Sequence, residues 1–125
     1  IHTLTACWQF FPGNVEMDAG TLIIRSMDQQ GKGMALIPHA GFDHAGIQSF
    51  KGNLNPPRGW VSINGEDIPA RHFRFSVRDL LPITLDWILC PVSQPCHAFW
   101  ESPDFASRTA DLFRHLHNTT EKNFP

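Results

Sequence analysis

The sequence predicts an all-β fold: an antiparallel β-sandwich over residues 1–92, with a loop and one C-terminal α-helix packed on it over residues 93–125. Three observations carry that expectation. Six or seven apolar runs recur at roughly ten-residue spacing, punctuated by Gly and Pro, which is the rhythm of short antiparallel strands. Several runs alternate apolar and polar residues with period two, so each offers one face to a core and one to solvent. The tail changes period. Phe105, Thr109, Leu112, Phe113 and Leu116 fall on one helical stripe behind Ser102-Pro103-Asp104, a group with helix-start chemistry.

Taken in order, the first strand runs from Leu4 to Phe11 with Leu4, Ala6, Trp8 and Phe10 facing inward, and Pro12-Gly13-Asn14 stops it. The second spans Thr21 to Ser26 and carries the β-branched pair Ile23 and Ile24. After the loop Asp28 to Gly33, Met34 to Ile37 resumes an apolar run, and these two segments are natural hairpin partners. His44 to Lys51 alternates weakly. Trp60 to Ile63 precedes Asn64-Gly65, a strong tight-turn pair, because both central residues of such a turn take positive φ. In His72 to Val77 the residues Phe73, Phe75 and Val77 share one face against His72, Arg74 and Ser76. The last strand, Ile83 to Cys90, is the most apolar, with Ile83, Leu85, Trp87 and Leu89 on one side, and is expected at the centre of its sheet.

A chain of 125 residues with 42% hydrophobic content buries an adequate core as one domain without covalent staples. Its 12 acidic and 10 basic side chains leave a formal charge of −2, which excludes the basic footprint of a nucleic-acid binder. No run of about 18 apolar residues offers a membrane span. The opening at Ile1, with no Met and no basic-then-apolar leader, predicts a processed or excised start. Cys7, Cys90 and Cys96 are odd in number and imply no disulfide framework. A turn between Pro91 and Pro95 would bring Cys90 near Cys96 in an oxidising compartment, although spacing does not establish the approach a bond requires.

The block Asn55-Pro56-Pro57-Arg58-Gly59-Trp60-Val61-Ser62 is followed by Gly65 and Pro69-Ala70, then by Leu81-Pro82-Ile83-Thr84-Leu85 and Leu89-Cys90-Pro91. In this order and spacing it resembles the closing motif of the heparinase II/III-like polysaccharide lyases, and Trp8 to Gly13 is similar to that family's aromatic strand ending in Pro-Gly. The resemblance covers roughly residues 1–92. Val61 and Asn64 stand where members of the family carry aromatic residues. The resemblance implies a periplasmic or secreted enzyme built from an α-helical toroid followed by a β-sandwich. Such an enzyme cleaves uronic-acid-containing polysaccharide by β-elimination: a base removes the proton beside the carboxyl group, a neutralising group holds the anion, and an acid protonates the leaving oxygen. The family's catalytic Tyr, His and Arg precede the region matched by this chain. The expectation is therefore a non-catalytic C-terminal domain, with no catalytic residue and no cofactor, whose partners are the upstream toroid and β-domain and an acidic polysaccharide. An independent carbohydrate-binding module is the alternative, and a small enzyme built on the histidines comes third.

Four residues are candidates for substrate contact: Arg58, Trp60, His72 and Arg74. His72 and Arg74 share the outward face of their strand, where a sugar carboxylate could meet them, although a solvated face is the ordinary reading. Trp60 beside Arg58 and Ser62 suggests a stacking platform, while a strand Trp after a double proline is more often a core plug. His39, Asp43 and His44 are the densest set of potential ligands, but their spacing fits no zinc signature, and no metal is expected. His115 and His117 lie about 200° apart around a helix and do not share a ligand. His97 beside Cys96 is a pair whose facing geometry sequence does not supply. Asn118-Thr119-Thr120 is a glycosylation sequon by pattern alone.

Overall fold

The computed structural model describes residues 1–39, 46–92 and 107–115. Among the described residues eleven strands form: β1 (His2–Gln9), β2 (Asn14–Met17), β3 (Ile24–Met27), β4 (Gly33–Pro38), β5 (Ile47–Phe50), β6 (Asn53–Leu54), β7 (Pro57–Arg58), β8 (Trp60–Ile63), β9 (Glu66–Pro69), β10 (His72–Asp79) and β11 (Trp87–Val92). One helix, α1, covers residues 107–115. The strands pair antiparallel into a three-stranded sheet, β1-β10-β5, and a four-stranded sheet, β11-β4-β3-β2. The fold is the expected all-β sandwich with a C-terminal helix.

The two sheets face each other across Val15, Ile24, Leu36, Phe73 and Phe75, with Trp8, Phe10, Met17, Ile47 and Trp87 packed around them. The period-two pattern of β10 set this up. Phe73 and Phe75 are buried at the interface, while His72, Arg74 and Ser76 lie on the opposite face of the strand. Trp87 stacks edge-on against both Trp8 and Phe75, each at 5.5 Å between ring centroids, a geometry favoured by the ring quadrupoles. On its other side the four-stranded sheet carries a second apolar layer of Ile23, Ala35 and Ile37, and Phe113 of α1 closes it. The helical stripe thus seats through Phe113, whereas Leu112 is half exposed; Phe105 and Leu116 lie outside the described residues.

Several expectations are corrected. β2 is a strand the sequence reading did not assign: it follows the Pro12-Gly13 stop directly, and Asn14 begins it and pairs with Met27. The last strand begins at Trp87 rather than Ile83. Among the described residues it is the outer member of its sheet and not the centre, pairing only with β4. Leu89 and Leu4, expected in the core, are 51% and 39% exposed because both sit on outer strands. The hairpin expected between the second and third apolar runs is present as β3 and β4, with Ile24 opposite Leu36.

Between β5 and β10 the chain leaves the sandwich as a ribbon of two small hairpins, β6-β7 and β8-β9. Asn64 and Gly65 turn the second hairpin at φ of 52° and 81°, the left-handed pair expected of Asn-Gly. Gly59 ties the two hairpins together: its carbonyl accepts from Gly52 N at 2.8 Å and from Ala70 N at 2.9 Å. The backbone passes so close to β5 that a Cβ on Gly59 would stand 2.8 Å from Lys51 Cα and Lys51 N.

Candidate functional site

The ribbon and the outward face of the three-stranded sheet enclose a groove of about 590 Å³. Gln9, Leu54, Pro57, Arg58, Gly59, Trp60, Asp67 and His72 line it. Three of the four residues expected to contact substrate, Arg58, Trp60 and His72, are therefore brought to one place. Arg74 lies two residues along β10 on the same outward face, opposite Cys7 and Gln48, and does not line the groove.

Trp60 belongs to neither core cluster, so the core-plug reading is set aside. Its indole is half-buried, and Nε1 donates to Asn53 O at 2.8 Å, fixing the ring across the base of the first hairpin. Arg58 packs its guanidinium over the Phe50 ring at 5.3 Å, a cation–π contact that holds the charge at the groove rim. The other edge of this aromatic group is His72, whose ring lies edge-on to Phe50 at 6.0 Å. His72 is half-buried rather than fully solvated. Register explains Gln9, which sequence reasoning missed. Antiparallel pairing of β1 with β10 sets Gln9 opposite His72, and His72 Nδ1 lies 3.1 Å from Gln9 Oε1.

Burial pushes the His72 imidazole below its ordinary pKa, and the charges of Arg58 and Arg74 push it further in the same direction. Arg74 Nε and His72 Nε2 are buried atoms without a hydrogen-bond partner among the described residues. The groove's polar complement is thus a guanidinium, an imidazole, an amide and one carboxylate, Asp67. Groups of that kind bind and orient a polar ligand.

A larger trough of about 900 Å³ opens between the sheets beside Trp8, Phe10, Phe11, Met34 and Leu89. It is the unclosed end of the sandwich. Its carboxylate, Asp28, is occupied in accepting from the Gln30 and Lys32 amides of its own loop, so the smaller groove is the better candidate site. Of His39, Asp43 and His44, only His39 is described, and its ring lies edge-on to Phe113 at 5.0 Å. Among the described residues no group of three His, Cys, Asp or Glu side chains gathers to hold a metal, and no helix is long and apolar enough to cross a membrane. Asp43, His44, Cys96, His97, His117 and the Asn118 sequon lie outside the described residues. Cys90 carries a free thiol directed at Pro91 O, 3.7 Å away.

Compared with known proteins, the chain matches no family model, no curated protein and no solved structure.

Proposed function

We propose that this chain is a non-catalytic C-terminal β-sandwich domain of a heparinase II/III-like polysaccharide lyase, exported to the periplasm or secreted, that supplies part of one wall of the enzyme's substrate cleft. One observation carries the reading: the Pro57-Arg58-Gly59-Trp60 part of the motif lines a surface groove and belongs to neither core cluster. Five residues of the motif have separate mechanical tasks. Gly59 permits the close crossing with β5, Trp60 anchors the first hairpin, Asn64-Gly65 turns the second, and Ala70 is buried where its amide returns to Gly59. Their combined effect is to hold Arg58 and the Trp60 ring at the groove against His72. A guanidinium beside an indole suits a sugar ring that bears an acid group.

Upstream toroid and β-domain would provide the base, neutraliser and acid, and this domain would position the chain of sugars. The native reading frame tests the parentage. A coding sequence that continues several hundred residues upstream as a helical toroid supports it, and a start codon beside Ile1 overturns it. Activity tests the non-catalytic role, because β-elimination leaves an unsaturated uronate that absorbs in the ultraviolet. The isolated chain is expected to give no such signal with heparin, heparan sulfate or alginate; a rise above a heat-killed control overturns the role.

The alternative is an independent carbohydrate-binding module, for which the described groove, lined by side chains from Gln9 to His72, would be the binding surface.

A further inference from the structure

His72 stands where the sandwich meets the ribbon, and its two ring nitrogens are placed very differently. Gln9 uses its amide nitrogen twice, donating to Phe10 O at 2.9 Å and to Arg71 O at 3.1 Å. Its oxygen is therefore the atom that faces the histidine, so Nδ1 carries the hydrogen and donates. In a neutral ring this leaves a bare lone pair on Nε2, and Nε2 is buried without a hydrogen-bond partner among the described residues. A buried acceptor in that condition is a cost to the fold.

The charges around the ring are one-sided. Arg58 approaches from β7 and Arg74 from His72's own strand, and neither forms a salt bridge among the described residues. Arg71, next in sequence, donates to Ser49 Oγ at 3.2 Å. Among the described residues, Gln9 of β1, Phe50 of β5 and Trp60 of β8 are neutral neighbours, and Asp67 of β9 is the one carboxylate lining the groove.

We propose that the groove is a proton-coupled oxyanion site: a carboxylate or sulfate carried on a sugar ring docks against Arg58 and His72, and His72 takes up one proton at Nε2 as it does so. The inference rests on the reading of this groove as the glycan-contacting surface. An oxyanion in the groove opposes the field of Arg58 and Arg74 at the ring, which favours the imidazolium. By linkage the protonated ring holds the anion more tightly, and binding strengthens as pH falls. Trp60 and Pro57 supply apolar faces for the ring that bears the anion.

Calorimetric titration of the whole chain with a glucuronic acid tetramer, an uncharged cellulose tetramer and inorganic sulfate, between about pH 5 and pH 8, tests the site. For the acidic tetramer the expected result is about tenfold tighter binding at the low end, with uptake of about one proton shown by buffers of different ionisation enthalpy. His72→Gln should flatten this dependence, and Arg58→Gln should weaken binding at every pH. Nuclear magnetic resonance of the His72 ring in the unaltered chain needs no variant to fold, and should show its titration moving to higher pH when the tetramer is present. Sulfate binding with the same pH dependence supports the oxyanion as the recognised group; dependence seen only with the acidic tetramer makes the sugar ring part of the ligand. Equal affinity for acidic and uncharged tetramers at all pH values overturns the proton coupling and leaves a glycan-binding groove. A pH dependence that survives in a folded His72→Gln overturns the role of His72. Binding of no probe at any pH overturns the site, while the parentage is judged separately by the reading frame.

Discussion

Trp87 and Trp60 both begin strands, yet the inter-sheet core and the ribbon use them in opposite ways. Trp87 meets other rings, Trp8 and Phe75, and its environment is defined by strands far apart in sequence. Trp60 meets backbone: its Nε1 is tied to Asn53 O, seven residues away, and its ring faces a groove. The difference lies in what fixes each region. Non-local burial of apolar area holds the core. Tight turns, a close backbone crossing and short-range hydrogen bonds hold the ribbon. The two regions should therefore fail by different routes.

The largest expected effect is in the core. Phe75 is fully buried between the sheets, and Phe75→Ala should lower the free energy of unfolding by about 3–5 kcal/mol, the sum of lost transfer energy and the cavity left behind. Denaturant unfolding measures it. A loss below about 1 kcal/mol would mean that the sheets do not close on this side chain.

The ribbon should be broken by backbone changes, unequally at Gly59 and Gly65, two of its left-handed glycines. A Cβ at Gly59 meets Lys51 and Phe50 backbone atoms at 2.8 Å, whereas a Cβ at Gly65 has nothing within 4 Å. Both residues have positive φ, 78° and 81°, so the conformational cost is shared and the collision is not. Gly59→Ala should cost about 2–3 kcal/mol and Gly65→Ala about 1 kcal/mol. Thermal unfolding of the two variants side by side decides it. Equal losses would remove Gly59 from its place as the crossing point of the two hairpins.

What the sequence made legible divides along the same line. The faces of β10 and the β3-β4 hairpin were readable because period-two alternation and a polar loop are local signals, and Asn64-Gly65 announced its turn chemically. β2 was not readable, since Asn14-Val15-Glu16-Met17 is short and acquires its strand character by pairing with β3. The outer position of β11 was hidden for a related reason: apolar content shows that a strand is buried on some face, not which neighbours it has. In the site, Arg58 with Trp60 and His72 with Arg74 were each visible as pairs. Nothing local relates the first pair to the second, because the ribbon's fold-back closes the gap between them. Gln9 gave no signal at all, its role being set by the register of β1 on β10.

The smallest expected effect lies at the junction of the two regions, where His72 belongs to a core strand by its backbone and to the groove by its ring. Burial, with Arg58 and Arg74, holds its folded pKa below the ordinary value of 6.5. As pH falls through 6.5 the unfolded chain takes up this proton before the folded chain does, so proton uptake favours unfolding. The corresponding stability is complete above pH 6.5 and is lost as pH falls through the depressed folded value. The ring is only partly buried, so solvent screening keeps the change below those expected at Phe75 and Gly59. The informative quantity is the difference between the unaltered chain and His72→Gln. Melting temperatures of the two should run parallel above pH 6.5, and the gap between them should shift in favour of the variant as the solution is acidified. A gap that stays constant with pH would show that the ring titrates as a solvated histidine, and that the ribbon and its arginines leave it undisturbed.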